Sequence, residues 1–162
     1  MVRQRPTRHS QRGVTAVEFA IVGTVLFMVL FGVLEFARAM YVVNVLAEAT
    51  RRGARVAAVC PVGDPYPAEA AVFASGGGSG SAVIPGLSTS NVEIDYLDEK
   101  GNVIADPTAD FGEISYVRAT IVNFSLPLII PLVSPTLSLS GFATTLPRES
   151  LGVPRSGTVQ PC

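Results

Sequence analysis

Charge is what this sequence has least of. Only 15% of its 162 residues are Asp, Glu, Lys or Arg, against roughly 25% in soluble globular proteins, and that scarcity argues against an ordinary cytosolic enzyme. His9 is the one histidine, so a Ser or Cys nucleophile anywhere after it lacks an imidazole to act as its base. The glycine-rich stretch 75–81 (SGGGSGS) is followed by no Gly-Lys-Ser/Thr and preceded by no strand, which removes a phosphate-binding loop and leaves a flexible connection. Acidic pairs such as Asp98/Glu99 and Asp106/Asp110 sit in turn-like polar segments and read as solvated loops. Twelve basic against thirteen acidic residues give no general attraction to nucleic acid. No catalytic residue, cofactor or nucleic-acid partner is expected.

What the chain does have is apolar residues, 48% of the total, concentrated near its start. Val14–Leu34 holds 16 hydrophobic residues out of 21, with Glu18 as its only ionisable side chain. As a helix it spans roughly 30 Å, the thickness of a bilayer's hydrocarbon core. The preceding segment carries Arg3, Arg5, Arg8 and Arg12 and no acid, whereas everything after Gly13 carries 8 basic and 13 acidic residues. That asymmetry predicts a single-pass protein with a cytoplasmic N-terminus and an exported remainder. A cleavable signal peptide ending at Ala37-Arg38-Ala39 is the competing reading. Against it stand 16 uncharged residues in Phe19–Leu34 and a helical pattern that continues past Ala39, beyond the usual 7–15-residue apolar region.

From Glu35 to Val59 there is no proline, and Arg38, Asn44, Glu48, Arg51, Arg52 and Arg55 fall mostly three or four apart. The spacing predicts that the helix continues over 14–59 with an apolar face of Met40, Val43, Leu46, Ala47, Ala54 and Ala57–Ala58, with Glu48 paired to Arg52 and Cys60-Pro61 as the stop. Such a face needs cover. Downstream, Pro67–Ala74 reads as a short helix. Val92–Leu97 (VEIDYL), the turn Asp98–Asn102 and Val103–Ala105 read as a hairpin, and Tyr116–Phe124 and Thr136–Thr144 as further strands. The run Leu126–Val133 contains Pro127 and Pro131, which exclude a regular helix or central strand and leave a loop folded on the core or an exposed contact. The predicted fold is α+β: a long N-terminal transmembrane helix and a small head, 60–162, with an antiparallel sheet. Cys60 and Cys162 both fall on the exported side, where disulfides persist. Pairing them would close a loop of about 100 residues, worth roughly 4–5 kcal/mol in the chain-entropy model, although the sequence leaves open whether they pair. With His9 across the membrane from both, no metal site is expected.

The junction Arg12-Gly13-Val14-Thr15-Ala16-Val17-Glu18-Phe19 resembles a type IV prepilin processing site: a basic leader ending in Gly, then an apolar helix with Glu at its fifth position. Over Arg12–Ala58 the segments RGVTAVEFAIV, LFGVLEFARAMY and RRGARVAA resemble the TadE-like family of minor pseudopilins of the tight-adherence (Flp) pilus. The stretch Thr136–Thr144 followed by Arg148-Glu149 is similar, more weakly, to the family's C-terminal pattern. The resemblance implies cleavage between Gly13 and Val14 by an inner-membrane prepilin peptidase, removing leader 1–13. It also implies subunit docking through Glu18 and Phe19, with other pilins and pseudopilins, an assembly platform and the lipid bilayer as partners. After cleavage the α-amino group of Val14 would lie roughly 6 Å along the axis from Glu18 on the same face. Glu18 would then neutralise its own terminus or that of a neighbouring pilin, or simply sit at a helix start near the interface. The implied function is structural, in assembly or initiation of the pilus. A single-pass anchored binding module outside any pilus is the alternative.

Overall fold

The computed structural model describes residues 12–74, 78–129, 135–153, 157, 159 and 161–162. The expected leader up to residue 11, the first half of the Gly/Ser stretch and residues 130–133 of the apolar run lie outside them. The architecture is α+β, with a long apolar N-terminal helix followed by a small antiparallel head. The chain divides into two compact units at Arg38/Ala39, and helix α1 (Arg12–Ala57) contributes to both.

In the first unit α1 is apolar on every side over 19–34, and Val14, Val17, Phe19, Ile21 and Val22 are all more than half exposed. An all-round apolar helix belongs in a buried or lipid setting, and this one is long and apolar enough to cross a membrane. Three of its polar side chains are satisfied locally: Thr24 Oγ1 donates to the Ala20 carbonyl at 2.8 Å, and Arg38 Nη2 lies 2.6 Å from Glu35 Oε1.

In the second unit the last turns of α1 bury Val42, Leu46, Ala49, Thr50, Ala54 and Ala57, a face built from i, i+3, i+4 spacing. This corrects the expected face. Leu46, Ala54, Ala57 and Ala58 are buried as predicted, but Met40 is exposed and Val43 and Ala47 are only half-buried. The reason is close approach. A Cβ on Gly53 would lie 2.9 Å from Ala71 Cβ and 3.4 Å from Ala119 Cβ, so the smallest residues, not the most hydrophobic, face the sheet and α2. Thr50 is buried because its hydroxyl bonds both the Ala47 carbonyl (2.9 Å) and Thr144 Oγ1 (2.8 Å), which removes most of the desolvation cost. Glu48 lies 3.7 Å from Arg51; Arg52, its expected partner, is instead stacked over the Phe73 ring at 5.3 Å.

Helix α2 (Tyr66–Ala71) is shorter than predicted. Phe73 takes a positive φ of 57°, and the Ala74 N–H returns to the Glu69 carbonyl at 3.0 Å, ending the helix. Strand β1 (Val92–Leu97) pairs antiparallel with β2 (Tyr116–Ile121), in register from Val92 opposite Ile121 to Leu97 opposite Tyr116. On β2 the alternation puts Val117, Ala119 and Ile121 into the core, while Arg118 reaches across to Asp95 at 2.7 Å. The predicted partner at Val103–Ala105 shrinks to a single bridge, Leu97 opposite Val103, because Val103 is left exposed and gains nothing from a longer ladder.

Two predicted strands are corrected in the same region. Tyr116–Phe124 stops at Ile121, since Asn123 adopts φ 53° and turns Phe124 into the core. Thr136–Thr144 is broken by Gly141 at φ 86°, so β4 (Thr136–Ser138) pairs with β3 (Ser125–Pro127) while β5 (Ala143–Pro147) completes the three-stranded sheet beside β2. Leu126, at the start of the apolar run, is buried, whereas Ile129 is 72% exposed.

Burial leaves a pH signature at Tyr96, which is only 6% exposed. Desolvation raises its hydroxyl pKa above the ordinary 10.0, against a lowering hydrogen bond from the Gly63 backbone. The folded state thus holds this proton longer than the unfolded chain does. Its contribution to stability is complete below about pH 10 and is lost as pH rises through the raised value. Thermal melts should show a midpoint that starts to fall at about pH 10 and keeps falling above it, and Tyr96→Phe should flatten that fall. An unchanged slope in the variant would place the titrating group elsewhere.

Candidate processing and docking site

Gly13 and Val14 lie within helix α1. Nothing lies within 4 Å of a Cβ built on Gly13, and Val14 is 62% exposed. Glu18 stands one turn beyond Val14 on the same face. It is exposed and, among the described residues, makes no hydrogen bond or ion pair. Phe19, beside it, is 80% exposed. The structure therefore brings Val14 and Glu18 onto one stripe and leaves the carboxylate and the Phe19 ring exposed.

The two cysteines meet at the other end of α1. Cys60, 1% exposed, is bonded to Cys162, with Cα atoms 5.7 Å apart, and the Cys162 N–H donates to Asp64 Oδ2 at 3.1 Å. The segment just after β5 reinforces this junction. N–H groups of Glu149 and Leu151 donate to the Ala58 carbonyl, and that of Gly152 to the Val59 carbonyl at 2.6 Å. Carbonyls at a helix C-terminus otherwise lack partners, so this returning segment serves as the cap of α1. Sequence reasoning missed this cap; its one visible signal is Gly152, which has φ 77° and sits against Pro61. Among the described residues no group of three or more His, Cys, Asp or Glu is placed to hold a metal ion.

An exposed apolar helix carrying the unpaired Glu18, followed by a small disulfide-closed α+β head, is an architecture suited to a single N-terminal membrane anchor. Residues 13–55 match the family model described as TadE-like protein. The match lies within the segment whose residues carried the resemblance and does not extend to Thr136–Thr144. No curated protein and no solved structure matches the chain.

Proposed function

We propose that this protein is a minor pseudopilin of a Tad-type pilus, serving its assembly or initiation. In this reading residues 1–13 are a cytoplasmic leader, 14–34 cross the inner membrane and 60–162 form an exported head. The observation that carries it is the unpaired Glu18 on an otherwise apolar, exposed helix. A carboxylate in that setting costs up to about 2.5–3.5 kcal/mol near a helix centre and less near its end, so it is retained where a partner repays it. Cleavage after Gly13 by a prepilin peptidase creates such a partner, the α-amino group of Val14, on the same subunit or on a neighbouring pilin at the assembly platform. Phe19 packs beside that contact. The Cys60–Cys162 bond supports an oxidising, exported location for the head.

Intact-mass measurement of the protein purified from its host's membranes is expected to show a chain beginning at Val14. Retention of residues 1–13 would end the processing hypothesis. Glu18→Ala is expected to leave membrane insertion intact and to abolish incorporation with other pilins, and normal pilus assembly by that variant would remove the docking role.

A further inference from the structure

We propose that α1 carries a self-association surface, the exposed stripe of Arg51, Arg52 and Arg55, and that its occupant is the acidic β1–β2 connection of a second copy of this chain. The inference goes beyond the pilus reading and does not depend on it, since it stands on the charge pattern of the second unit.

Three arginines fall within five residues on the side of α1 turned away from the buried face, and all three are exposed. Their compensation within the chain is poor. Arg51 has only Glu48, at 3.7 Å between two largely exposed side chains, a pair worth little in water. Arg52 has the face of Phe73, and among the described residues Arg55 has no carboxylate within ion-pair distance. Glu99, Asp106 and Asp110 are exposed on the connection between β1 and β2. That connection is well ordered. Asp98 Oδ1 accepts from the N–H groups of Lys100 and Asn102 at 2.8 Å, and Asp106 Oδ1 from Thr108 and Ala109. Its far end is fixed by Ser115 N–H on the Leu97 carbonyl at 2.8 Å. Preformed loops lose little freedom on docking.

The two patches are opposite in sign and make no ion pair with each other within one chain among the described residues. Complementary potentials of this kind set partner orientation and encounter rate. Because the surfaces differ, a contact that joins the stripe of one copy to the connection of the next is heterologous, and when the rotation does not close it builds an open row of subunits.

The test uses the full chain in detergent micelles, with association followed by light scattering and by photo-crosslinking from a benzoylphenylalanine placed at Asn44, which is exposed on the same side of α1. The expected result is self-association that weakens at least about ten-fold between 50 and 500 mM salt, as screening shortens the reach of the charges, and a cross-link to a peptide within 98–113 of another copy. Arg51→Glu/Arg55→Glu and Glu99→Lys/Asp106→Lys/Asp110→Lys should each lose association alone and regain it when mixed. Retention of the Cys60–Cys162 bond and an unchanged melting profile certify that each variant is folded. Unchanged association in either variant, failure of the mixture to recover, or a cross-link to any other segment or protein would overturn the proposal.

Discussion

Cys60→Ser/Cys162→Ser is expected to lower the stability of the head by about 4–5 kcal/mol in the chain-entropy model, because the bond closes a loop with a sequence separation of 102 residues. For a unit of this size that corresponds to a melting midpoint roughly 15–30 °C lower. The loss falls on one place in particular. Freed from Cys60, Cys162 keeps, among the described residues, the Asp64 contact. Near-UV circular dichroism of the head tyrosines during thermal unfolding, with and without reductant, checks this. Reductant should reproduce the double variant in the native chain and leave the double variant itself unaffected. A midpoint that moves by less than about 2 °C would mean that the unfolded chain is already restrained by other means.

The second large effect is expected at Gly152. Its φ of 77° is a conformation that costs an L-residue about 1–2 kcal/mol, and a Cβ there would meet Pro61 Cγ and lie 2.8 Å from Pro61 N. Ring and backbone of a proline following a buried, disulfide-bonded cysteine have little room to retreat, so overpacking adds about 1–3 kcal/mol. Gly152→Ala should therefore cost about 2–5 kcal/mol, measured by denaturant unfolding of the full chain in micelles. Gly63→Ala is the control: its φ is also positive at 81°, but nothing lies within 4 Å of the added Cβ, so only the conformational part should appear. Equal losses at the two sites would remove the steric argument.

How much of this was legible in the residues differs by element, for physical reasons. The long helix is plain in the sequence because 16 hydrophobic residues in 21 have few structural alternatives, and β1 and β2 show their alternation directly. The buried face of α1 was harder to read, since hydrophobicity pointed to Met40 and Val43 whereas the packing also selects Ala49 and Gly53 for closeness. The two broken strands escaped because Asn123 and Gly141 act through φ, which composition does not reveal. At the candidate site, Gly13, Val14, Glu18 and Phe19 were legible as a local motif, independent of tertiary structure. The arginine stripe was read only as the polar side of a helix, because its meaning depends on where the acidic connection lies in three dimensions.

The bond between Cys60 and Cys162 also has a mechanical side. Unbridged, the residues between them would extend to about 350 Å under tension, at roughly 3.4 Å per residue. Bridged, the two ends stay within 5.7 Å between Cα atoms. A pull on Cys162 then passes straight to the end of α1 and bypasses the sheet. For a load applied at Cys162 the intervening residues are shielded, and the bond acts as an inextensible link to the end of α1.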